Sequence, residues 1–419
     1  MSLNDTPRAN RLHIGIYGKR NSGKSSLINA ISGHNTALVS EHAGTTTDPV
    51  YKSMEIYPVG PCVLIDTAGF DDEGEIGGLR VEKTREAAEK TDIALIVFGG
   101  DAAENIDGAK NIDAPGNMDK AMDLEMKWID GFRKRNIPTI TVLNKLDLIG
   151  DVKAAEANIE SRTGIKPIVV NAKDRTGIEQ IYSALIRNLP EDYDARSITG
   201  GIAREGDLVL LVMPQDIQAP KGRLILPQVQ TLRELLDRKC LVLSVTADKL
   251  DEALKSLVSP PSVIITDSQV FKTVYEKKPK ESRLTSFSVL FAAYKGDLDY
   301  YTKSAAAIDR LTESSRVLIA EACTHAPLSE DIGREKIPAL LRKRVGQKLR
   351  IDMVSGTDFP TDLTRYDLII HCGTCMFNRK YVLSRIERAS EQNVPMTNYG
   401  VAIAYLSGIL DKISLNKAI

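Results

Sequence analysis

Several features that would assign the chain to a special class are scarce or missing. It has 5 cysteines and 1 tryptophan in 419 residues, and only 5% of the residues are aromatic. Cysteines this few and this widely spaced do not form a disulfide framework. No run of about eighteen apolar residues occurs, and the polar N-terminus lacks the apolar core of a signal peptide. We therefore expect a cytoplasmic protein without a membrane partner.

An excess of one charge is also missing. The net charge is −1, which argues against a strongly basic body that binds nucleic acid. The 42% hydrophobic and 26% charged residues are ordinary for a globular chain. A length of 419 residues allows two or three domains, and we predict borders that give segments 1–190, 191–260 and 261–419.

The first predicted domain opens with a phosphate-binding motif. The strand-like run Leu12–Tyr17 passes into GKRNSGKS at 18–25, which is GxxxxGK[ST], and then into a helical stretch. Backbone N–H groups of such a loop surround phosphates, its lysine contacts the β- and γ-phosphates, and its serine hydroxyl ligates Mg²⁺. The nucleotide-binding residues expected here are Gly18, Asn21, Ser22, Gly23, Lys24, Ser25 and Ser26.

Three further segments, each after an apolar strand, indicate that the nucleotide is GTP. In Asp66-Thr67-Ala68-Gly69, the aspartate reaches Mg²⁺ through water and the glycine N–H faces the γ-phosphate. NKLD at 144–147 supplies a carboxylate that accepts hydrogen bonds from two guanine N–H groups, which adenine does not offer. NAK at 171–173 adds a backbone turn against the guanine oxygen. The residues expected to bind the base are Asn144, Lys145, Asp147, Asn171, Ala172 and Lys173.

A threonine-rich segment, GTTTD at 44–48, lies between the phosphate loop and the next strand. It resembles the switch I sequence GTTRD of the GTPase group that contains Era and MnmE. On that alignment Thr46 ligates Mg²⁺ and Thr47 replaces arginine; a polar surface loop is the alternative. The expected catalytic residues are Lys24, Thr46, Asp66 and Gly69, with Mg²⁺ held by Ser25, Thr46 and Asp66.

Two positions bear on the rate of hydrolysis. Phe70 stands where Ras-like proteins carry the glutamine that orients water, so we predict slow intrinsic hydrolysis. Asn21 matches the asparagine that helps to hold K⁺ against the phosphates in potassium-activated relatives. We therefore predict K⁺-stimulated hydrolysis; the alternative is a turn asparagine that merely fits the loop.

The rest of the chain divides into a short segment and a longer one. The segment 191–260 is too small to bury a good core alone, so we expect it to pack either in a homodimer or on its own chain. Residues 261–419 alternate between strands and helices, which predicts a doubly wound parallel sheet. The strands predicted there are Ser262–Ile265, Ser286–Ala292, Val317–Ala320, Leu349–Met353 and Leu368–Ile370.

Soft metal ligands concentrate at the ends of two of these strands. CTH at 323–325 follows one apolar run, and HCGTC at 371–375 follows another. Because the carboxyl ends of parallel strands border one crevice, we expect the two segments to meet. The predicted ligands of a 4Fe–4S cluster are Cys323, Cys372 and Cys375, with His325 and His371 as ligands or supporting residues. A Cys₃His zinc site, a redox CxxC pair and a core histidine with buried cysteines are the alternatives.

The pattern CxH…HCxxC behind a GTPase domain resembles the maturation GTPases of FeFe-hydrogenase over essentially the whole chain. The resemblance implies a Ras-like P-loop GTPase domain, a small α/β dimerisation domain, and a doubly wound parallel α/β domain that carries the iron–sulfur cluster. It further implies a homodimeric scaffold or carrier that receives a di-iron precursor, made with radical-SAM maturases, and delivers it to apo FeFe-hydrogenase. GTP then switches partner interactions. On this resemblance the three motif cysteines bind the cluster, and His325 and His371 match the two motif histidines.

Functions of two other classes stay open at this stage. The first domain alone suggests a ribosome- or tRNA-associated GTPase, but the near-neutral charge and the lack of RNA-binding patterns count against a nucleic-acid partner. The second is a GTPase with a structural zinc domain, which bound iron and sulfide would exclude. The scaffold interpretation predicts GTP, Mg²⁺, K⁺, a 4Fe–4S cluster and a transient di-iron precursor as bound groups.

Overall fold

The computed structural model describes residues 6–33, 49–69, 71, 74–99, 122–190, 193, 197–214, 224–322, 332–373 and 376–415. The chain divides into two compact units, Met1–Asp194 and Ala195–Ile419. Both units are α/β structures built on mainly parallel sheets. None of the described helices is long and apolar enough to cross a membrane.

A six-stranded sheet forms the centre of the described first unit. Its strands are β1 Leu12–Tyr17, β2 Val50–Ile56, β3 Gly60–Asp66, β4 Ile93–Phe98, β5 Thr139–Leu143 and β6 Ile168–Val169. The order is β2-β3-β1-β4-β5-β6, and only β2 runs antiparallel to its neighbour. The surrounding helices are Lys24–Ser32, Gly74–Glu89, Asp123–Lys134, Val152–Thr163 and Ile178–Arg187.

Alternate side chains of the central strands enter two cores on opposite faces of this sheet. Ile14 of β1 packs in one core with Leu27 of the first helix. Tyr17 of the same strand packs in the other core with Phe132. Strands covered on both faces are mainly apolar, and β1 and β4 are buried at every position. The carboxyl ends of these parallel strands therefore form one edge, from which the predicted nucleotide motifs emerge.

The second unit begins with a four-stranded parallel sheet. Its strands are β7 Leu208–Val212, β8 Leu241–Val245, β9 Val263–Thr266 and β10 Arg283–Ser286, in the order β10-β9-β7-β8. Because β9 lies between β7 and β10, this sheet continues across residue 260, where we placed a domain border. The helices associated with it are Leu226–Asp237, Leu250–Ser256 and Phe271–Lys277.

A second four-stranded parallel sheet follows in the same unit. Its strands are β11 Arg316–Glu321, β12 Arg350–Ser355, β13 Leu368–His371 and β14 Met396–Asn398, in the order β12-β11-β13-β14. The helices here are Phe287–Lys295, Leu298–Ala305, Ile337–Val345, Arg379–Glu391 and Tyr399–Leu406. The predicted alternation of strands and helices around a parallel sheet is confirmed.

One predicted strand, Ser286–Ala292, is wrong, because Phe287–Lys295 forms an α-helix. The Ser286 hydroxyl caps this helix by accepting a hydrogen bond from the Val289 N–H at 3.2 Å. Most of the helix is buried, with Val289 in one core and Leu290 in another. A short apolar run of this kind has no periodicity that distinguishes a buried helix from a buried strand.

The two sheets of the second unit share a core. Leu210 of β7 and Ile264 of β9 belong to the same buried cluster as Leu318 of β11 and Ile369 of β13. The middle segment therefore buries apolar surface against its own chain, which is one of the two alternatives that its small size left open.

Candidate functional site

The phosphate loop has a backbone that requires its glycines. Gly18 and Gly23 have φ values of 152° and 90°, and Asn21 has a φ of 59°. A Cβ atom on Gly18 would lie 2.4 Å from the Val97 carbonyl oxygen, so no larger residue fits at this position. Where neighbouring residues have φ angles of opposite sign, their backbone N–H groups point into one concave surface, called a nest. Such a nest binds phosphate.

Lys24 lies across this loop. Its side chain is only 7% exposed, and its Nζ donates hydrogen bonds to the carbonyl oxygens of Gly18 at 3.0 Å and Lys19 at 2.7 Å. Ser22 is buried beside it, and its Oγ has no hydrogen-bond partner among the described residues. A buried ammonium and an unsatisfied hydroxyl in one loop fit an anionic ligand.

The two described residues predicted to act at Mg²⁺ are in contact. The Ser25 hydroxyl donates a hydrogen bond to Asp66 Oδ2 at 2.7 Å. Burial raises the pKa of the Asp66 carboxyl, while the Ser25 hydrogen bond and the Lys24 charge act in the opposite direction. Hard oxygen donors of this kind suit Mg²⁺. Thr46, the third predicted ligand, lies outside the described residues, as does Phe70.

The segment after β3 packs tightly against the phosphate loop. The Thr67 hydroxyl donates to the Ile16 carbonyl at 2.6 Å. A Cβ on Gly69 would lie 2.8 Å from the Arg20 backbone nitrogen, so glycine allows this close approach. Gly69 therefore lies beside the loop, and its role at the γ-phosphate stays a prediction.

Asn144 connects the base motifs to the phosphate loop. It is 1% exposed, its Nδ2 donates to the Ser22 carbonyl at 3.1 Å, and its Oδ1 accepts from the Ala172 N–H at 3.1 Å. Both ends of its amide are therefore used inside the protein. We predicted Asn144 as a base-binding residue, and the structure gives it a connecting role that the motif alone does not reveal.

The remaining base residues surround this connection. Asp147 is exposed in the short 3-10 helix Leu146–Leu148, and Lys145 before it has a φ of 61°. Asn171 is buried, and its Oδ1 accepts from the Lys173 N–H at 3.1 Å. The Asp147 carboxylate is thus open to solvent. The predicted NAK turn is stabilised by the side chain of Asn171, its first residue.

The predicted cysteine cluster is described only in part. Cys323, His325 and Cys375 lie outside the described residues, whereas His371 ends β13 and Cys372 follows it. The Cys372 Sγ accepts a hydrogen bond from the Ala322 N–H at 2.9 Å, and Ala322 directly precedes Cys323 in the chain. β11 and β13 are neighbours in the sheet. Amide donation to a cysteine sulfur is a contact that iron–sulfur sites use, so this arrangement fits such a group.

His371 is fully buried, and both of its ring nitrogens have partners. Nε2 lies 2.8 Å from Arg385 Nη1, and Nδ1 lies 3.1 Å from the Cys372 carbonyl oxygen. Burial, followed by the charge of Arg385, lowers the pKa of His371 to about 3. Arg385 was not among the predicted site residues, because no motif contains it. Within the described part of the chain, no group of three His, Cys, Asp or Glu side chains is arranged to hold a metal ion.

The six-stranded sheet, the phosphate loop and the linked base motifs define the first unit as a Ras-like P-loop GTPase domain. A family model described as "50S ribosome-binding GTPase" matches residues 13–145. The Hydrogen maturase F dimerization domain matches residues 198–296, and the Hydrogen maturase F tetramerization domain matches residues 299–415. The chain therefore belongs to the hydrogen maturase F family of GTPases. The two domain descriptions indicate self-association.

Relatives of the first unit are GTPases of the expected group. The tRNA modification GTPase MnmE of Endomicrobium trichonymphae is 35% identical over 178 residues, which is 42% of this chain and 35% of that protein. GTPase Der of Wolinella succinogenes is 50% identical over 90 residues, 20% of this chain and 19% of that protein. This chain thus spans about a third or less of the length of these curated relatives. Among solved structures, Aquifex aeolicus Era bound to GDP and aluminium fluoride has 18% identity and a TM-score of 0.33, covering 58% of this chain and 97% of that one.

Proposed function

We propose that this chain is a GTP-hydrolysing scaffold or carrier in hydrogenase maturation. It binds a 4Fe–4S cluster through Cys323, Cys372 and Cys375. It receives the di-iron precursor of the FeFe-hydrogenase active site from radical-SAM maturases and transfers this precursor to the apo-hydrogenase. GTP hydrolysis, slow and K⁺-stimulated, switches these partner interactions.

The contact between Cys372 and the end of β11 carries the cluster part of this proposal. The Cys372 sulfur accepts from the amide of Ala322, so the backbone that leads into Cys323 adjoins Cys372. Cys375 follows three residues later. Three thiolates can hold three irons of a 4Fe–4S cluster, and the fourth iron is then open to an exchangeable ligand. When bound, the cluster would supply that open position for a precursor.

For GTP hydrolysis, the described residues position the phosphates and the base. Lys24 can exchange its hydrogen bonds to two loop carbonyls for phosphate oxygens, and Ser25 and Asp66 would hold Mg²⁺, which would supply charge that neutralises the phosphates. Thr46 would complete the Mg²⁺ site, and Asn21 would help to hold K⁺ against the phosphates. With Phe70 in place of a water-orienting glutamine, catalysis relies on these charges alone.

The cluster is tested by anaerobic reconstitution followed by iron and sulfide analysis and EPR of the reduced protein. The wild type is compared with Cys323→Ser, Cys372→Ser and Cys375→Ser. We expect about four irons and four sulfides per wild-type chain, lost in each variant. Cys240→Ala is the matched control, because Cys240 is a buried core residue of the second unit. Zinc without sulfide would contradict the proposal in favour of a structural metal domain.

The carrier role is tested separately by transfer. Protein loaded by the radical-SAM maturases is mixed with apo FeFe-hydrogenase, and hydrogenase activity is measured. We expect activation by the wild type and none by Cys372→Ser. A loaded Cys372→Ser protein that activates the hydrogenase as well as the wild type would contradict a cluster-dependent carrier.

A further inference from the structure

A buried arginine lies beside the predicted cluster residues. Arg385, on the helix Arg379–Glu391, is 1% exposed and is among the largest fully buried side chains of the described protein. Its Nη1 contacts His371 Nε2 at 2.8 Å, and its Nη2 donates to the Gly356 carbonyl at 2.7 Å and to the Tyr381 hydroxyl at 3.2 Å. The guanidinium is therefore fixed from several sides.

This buried cation has no carboxylate partner among the residues that the structure describes. Three aromatic rings surround it instead, with centroids 4.7 Å away for Phe359 and Phe377 and 4.6 Å away for Tyr381. Its Nε is buried without a hydrogen-bond partner. Cation–π contacts offset part of the cost of burying a charge, but an unpaired buried cation is unfavourable unless an anion lies nearby.

The contact with Arg385 determines the tautomer of His371. A guanidinium only donates hydrogen bonds, so His371 Nε2 must be the acceptor. The proton of the neutral ring then lies on Nδ1, which donates to the Cys372 carbonyl at 3.1 Å. Both ring nitrogens are committed to the protein, and neither is free to bind a metal.

The same chain of hydrogen bonds fixes the backbone of Cys372. Its carbonyl also accepts from Asn398 Nδ2 at 3.3 Å, and its N–H donates to the Ala320 carbonyl at 2.9 Å. A metal on His371 Nε2 would displace Arg385, and a metal on Nδ1 would release the Cys372 carbonyl. Either change would leave buried polar groups without partners.

We propose that Arg385 is a positioning residue of the cluster site. It holds His371 as a hydrogen-bond donor to Cys372, so that His371 is not an iron ligand, and its buried charge balances the anionic thiolate-ligated cluster. The part that concerns the cluster rests on the proposed function. The part that concerns the tautomer of His371 holds for the cluster-free protein as well.

The first experiment uses the full-length cluster-free protein labelled with ¹⁵N-histidine. NMR of the wild type should contain a histidine protonated at Nδ1, with Nε2 accepting a hydrogen bond. Its assignment comes from His371→Gln, which removes the signal. Arg385→Met, which removes the donors and keeps the volume, should shift the Nε2 resonance. Arg342→Met, on the helix Ile337–Val345, is the control and should leave the resonance unchanged. A His371 that is protonated at Nε2 would overturn the proposal.

The second experiment uses the reconstituted protein. We expect His371→Gln to keep its iron, because glutamine still offers one acceptor and one donor, and we expect no histidine nitrogen coupling in pulsed EPR of the wild type. Arg385→Met should shift the cluster midpoint potential to more negative values, because a cation that stabilises the reduced, more anionic state is lost. Arg385→Lys, which keeps the charge, should shift it less.

The outcomes separate this inference from the proposed function. A wild type that binds no cluster contradicts the proposed function and leaves the NMR result to decide the tautomer. A normal cluster with a histidine coupling that disappears in His371→Gln overturns the inference while the proposed function stands. An unchanged midpoint potential in a folded, cluster-loaded Arg385→Met protein overturns the proposal that the charge of Arg385 balances that of the cluster. Circular dichroism of each variant verifies folding.

Discussion

Asn144 donates its side-chain N–H to the carbonyl of Ser22 at 3.1 Å, although the two residues are 122 positions apart in the chain. The same amide accepts from Ala172 at its other end. The approach is so close that a Cβ on Gly23 would lie 2.2 Å from Asn144 Nδ2. One buried side chain, itself part of the NKLD motif, therefore links the phosphate loop to the NAK turn, so the phosphate and base ends of the nucleotide site share one hydrogen-bonded residue.

Asn144→Ala should weaken nucleotide binding at both ends. The change leaves the Ser22 carbonyl and the Ala172 N–H without their partner, which costs about 1–3 kcal/mol for each buried group. We expect an affinity for GDP and GTP at least about tenfold lower, with a lower unfolding midpoint. Fluorescent-nucleotide titration and urea unfolding measure the two effects. Asn158→Ala, on the helix Val152–Thr163, is the control; a normal affinity in Asn144→Ala would contradict the connecting role.

Asp147→Asn should change the preferred base. A carboxylate accepts two guanine N–H groups, whereas an amide accepts one and presents a donor that repels the other. Hydrogen bonds to charged groups contribute about 1.5–3 kcal/mol, so GTP affinity should fall by about a hundredfold. Xanthine has a carbonyl where guanine has its exocyclic amino group. Xanthosine triphosphate should therefore bind to Asp147→Asn better than GTP does. Competition binding tests this order, with Asp151→Asn as a control that keeps a helix cap.

Asp66→Asn should raise the stability of the nucleotide-free protein but weaken its binding of GTP in the presence of Mg²⁺. Because burial raises the folded-state pKa of Asp66, the native protein binds this proton more tightly than the unfolded chain. Ionised Asp66 therefore reduces stability increasingly as the pH rises from the ordinary aspartate range through the raised pKa. The nucleotide-free variant should melt at a higher temperature than the wild type at neutral pH, with the difference vanishing in acid.

The same variant should bind GTP more weakly in Mg²⁺, because asparagine keeps the acceptor for Ser25 but not the charge. Thermal melts across the pH range, together with titrations with and without Mg²⁺, measure both effects. Asp130→Asn is an exposed control. Equal melting temperatures of the wild type and Asp66→Asn at neutral pH would show that ionised Asp66 does not reduce the stability of the folded protein.

The sequence was sufficient to predict which loops lie at one edge of the first sheet, because the local motifs and the strand order agree there. The phosphate loop, NKLD and NAK each follow an apolar strand, and parallel strands bring such loops to one edge. It was insufficient at Phe287–Lys295, because a helix buried on most sides has no polar face to reveal its period. The sequence also did not predict that β9 continues the sheet of β7 past residue 260. Tertiary packing decides which strands pair, and the spacing of strands along the chain does not encode it.

For the predicted cluster residues, the sequence indicated which strand ends adjoin but not the contacts around them. Neighbouring strand ends bring Ala322 and Cys372 together, as the alternation of strands and helices suggested. Arg385 was missed because a basic residue on an amphipathic helix usually faces solvent. Its burial depends on three aromatic rings and on a histidine 14 positions away, and only the folded chain assembles these.

Asn21 tests the predicted dependence on K⁺. Its φ of 59° makes alanine a poor replacement, so Asn21→Gly is the cleaner variant, because glycine adopts this backbone without strain. We expect wild-type GTP hydrolysis to be about tenfold faster in KCl than in NaCl of equal ionic strength, a difference of about 1.4 kcal/mol in the barrier. Asn21→Gly should hydrolyse GTP at one low rate in both salts.

The control for this variant is Asn136→Gly, because Asn136 also has a positive φ, 49°, and follows the helix Asp123–Lys134. It should keep the wild-type response to K⁺. If the wild type hydrolyses GTP equally fast in KCl and NaCl, Asn21 is a turn residue that merely fits the loop. If Asn21→Gly keeps the K⁺ response, the cation is held by other groups, and the charge at the phosphates does not depend on this amide.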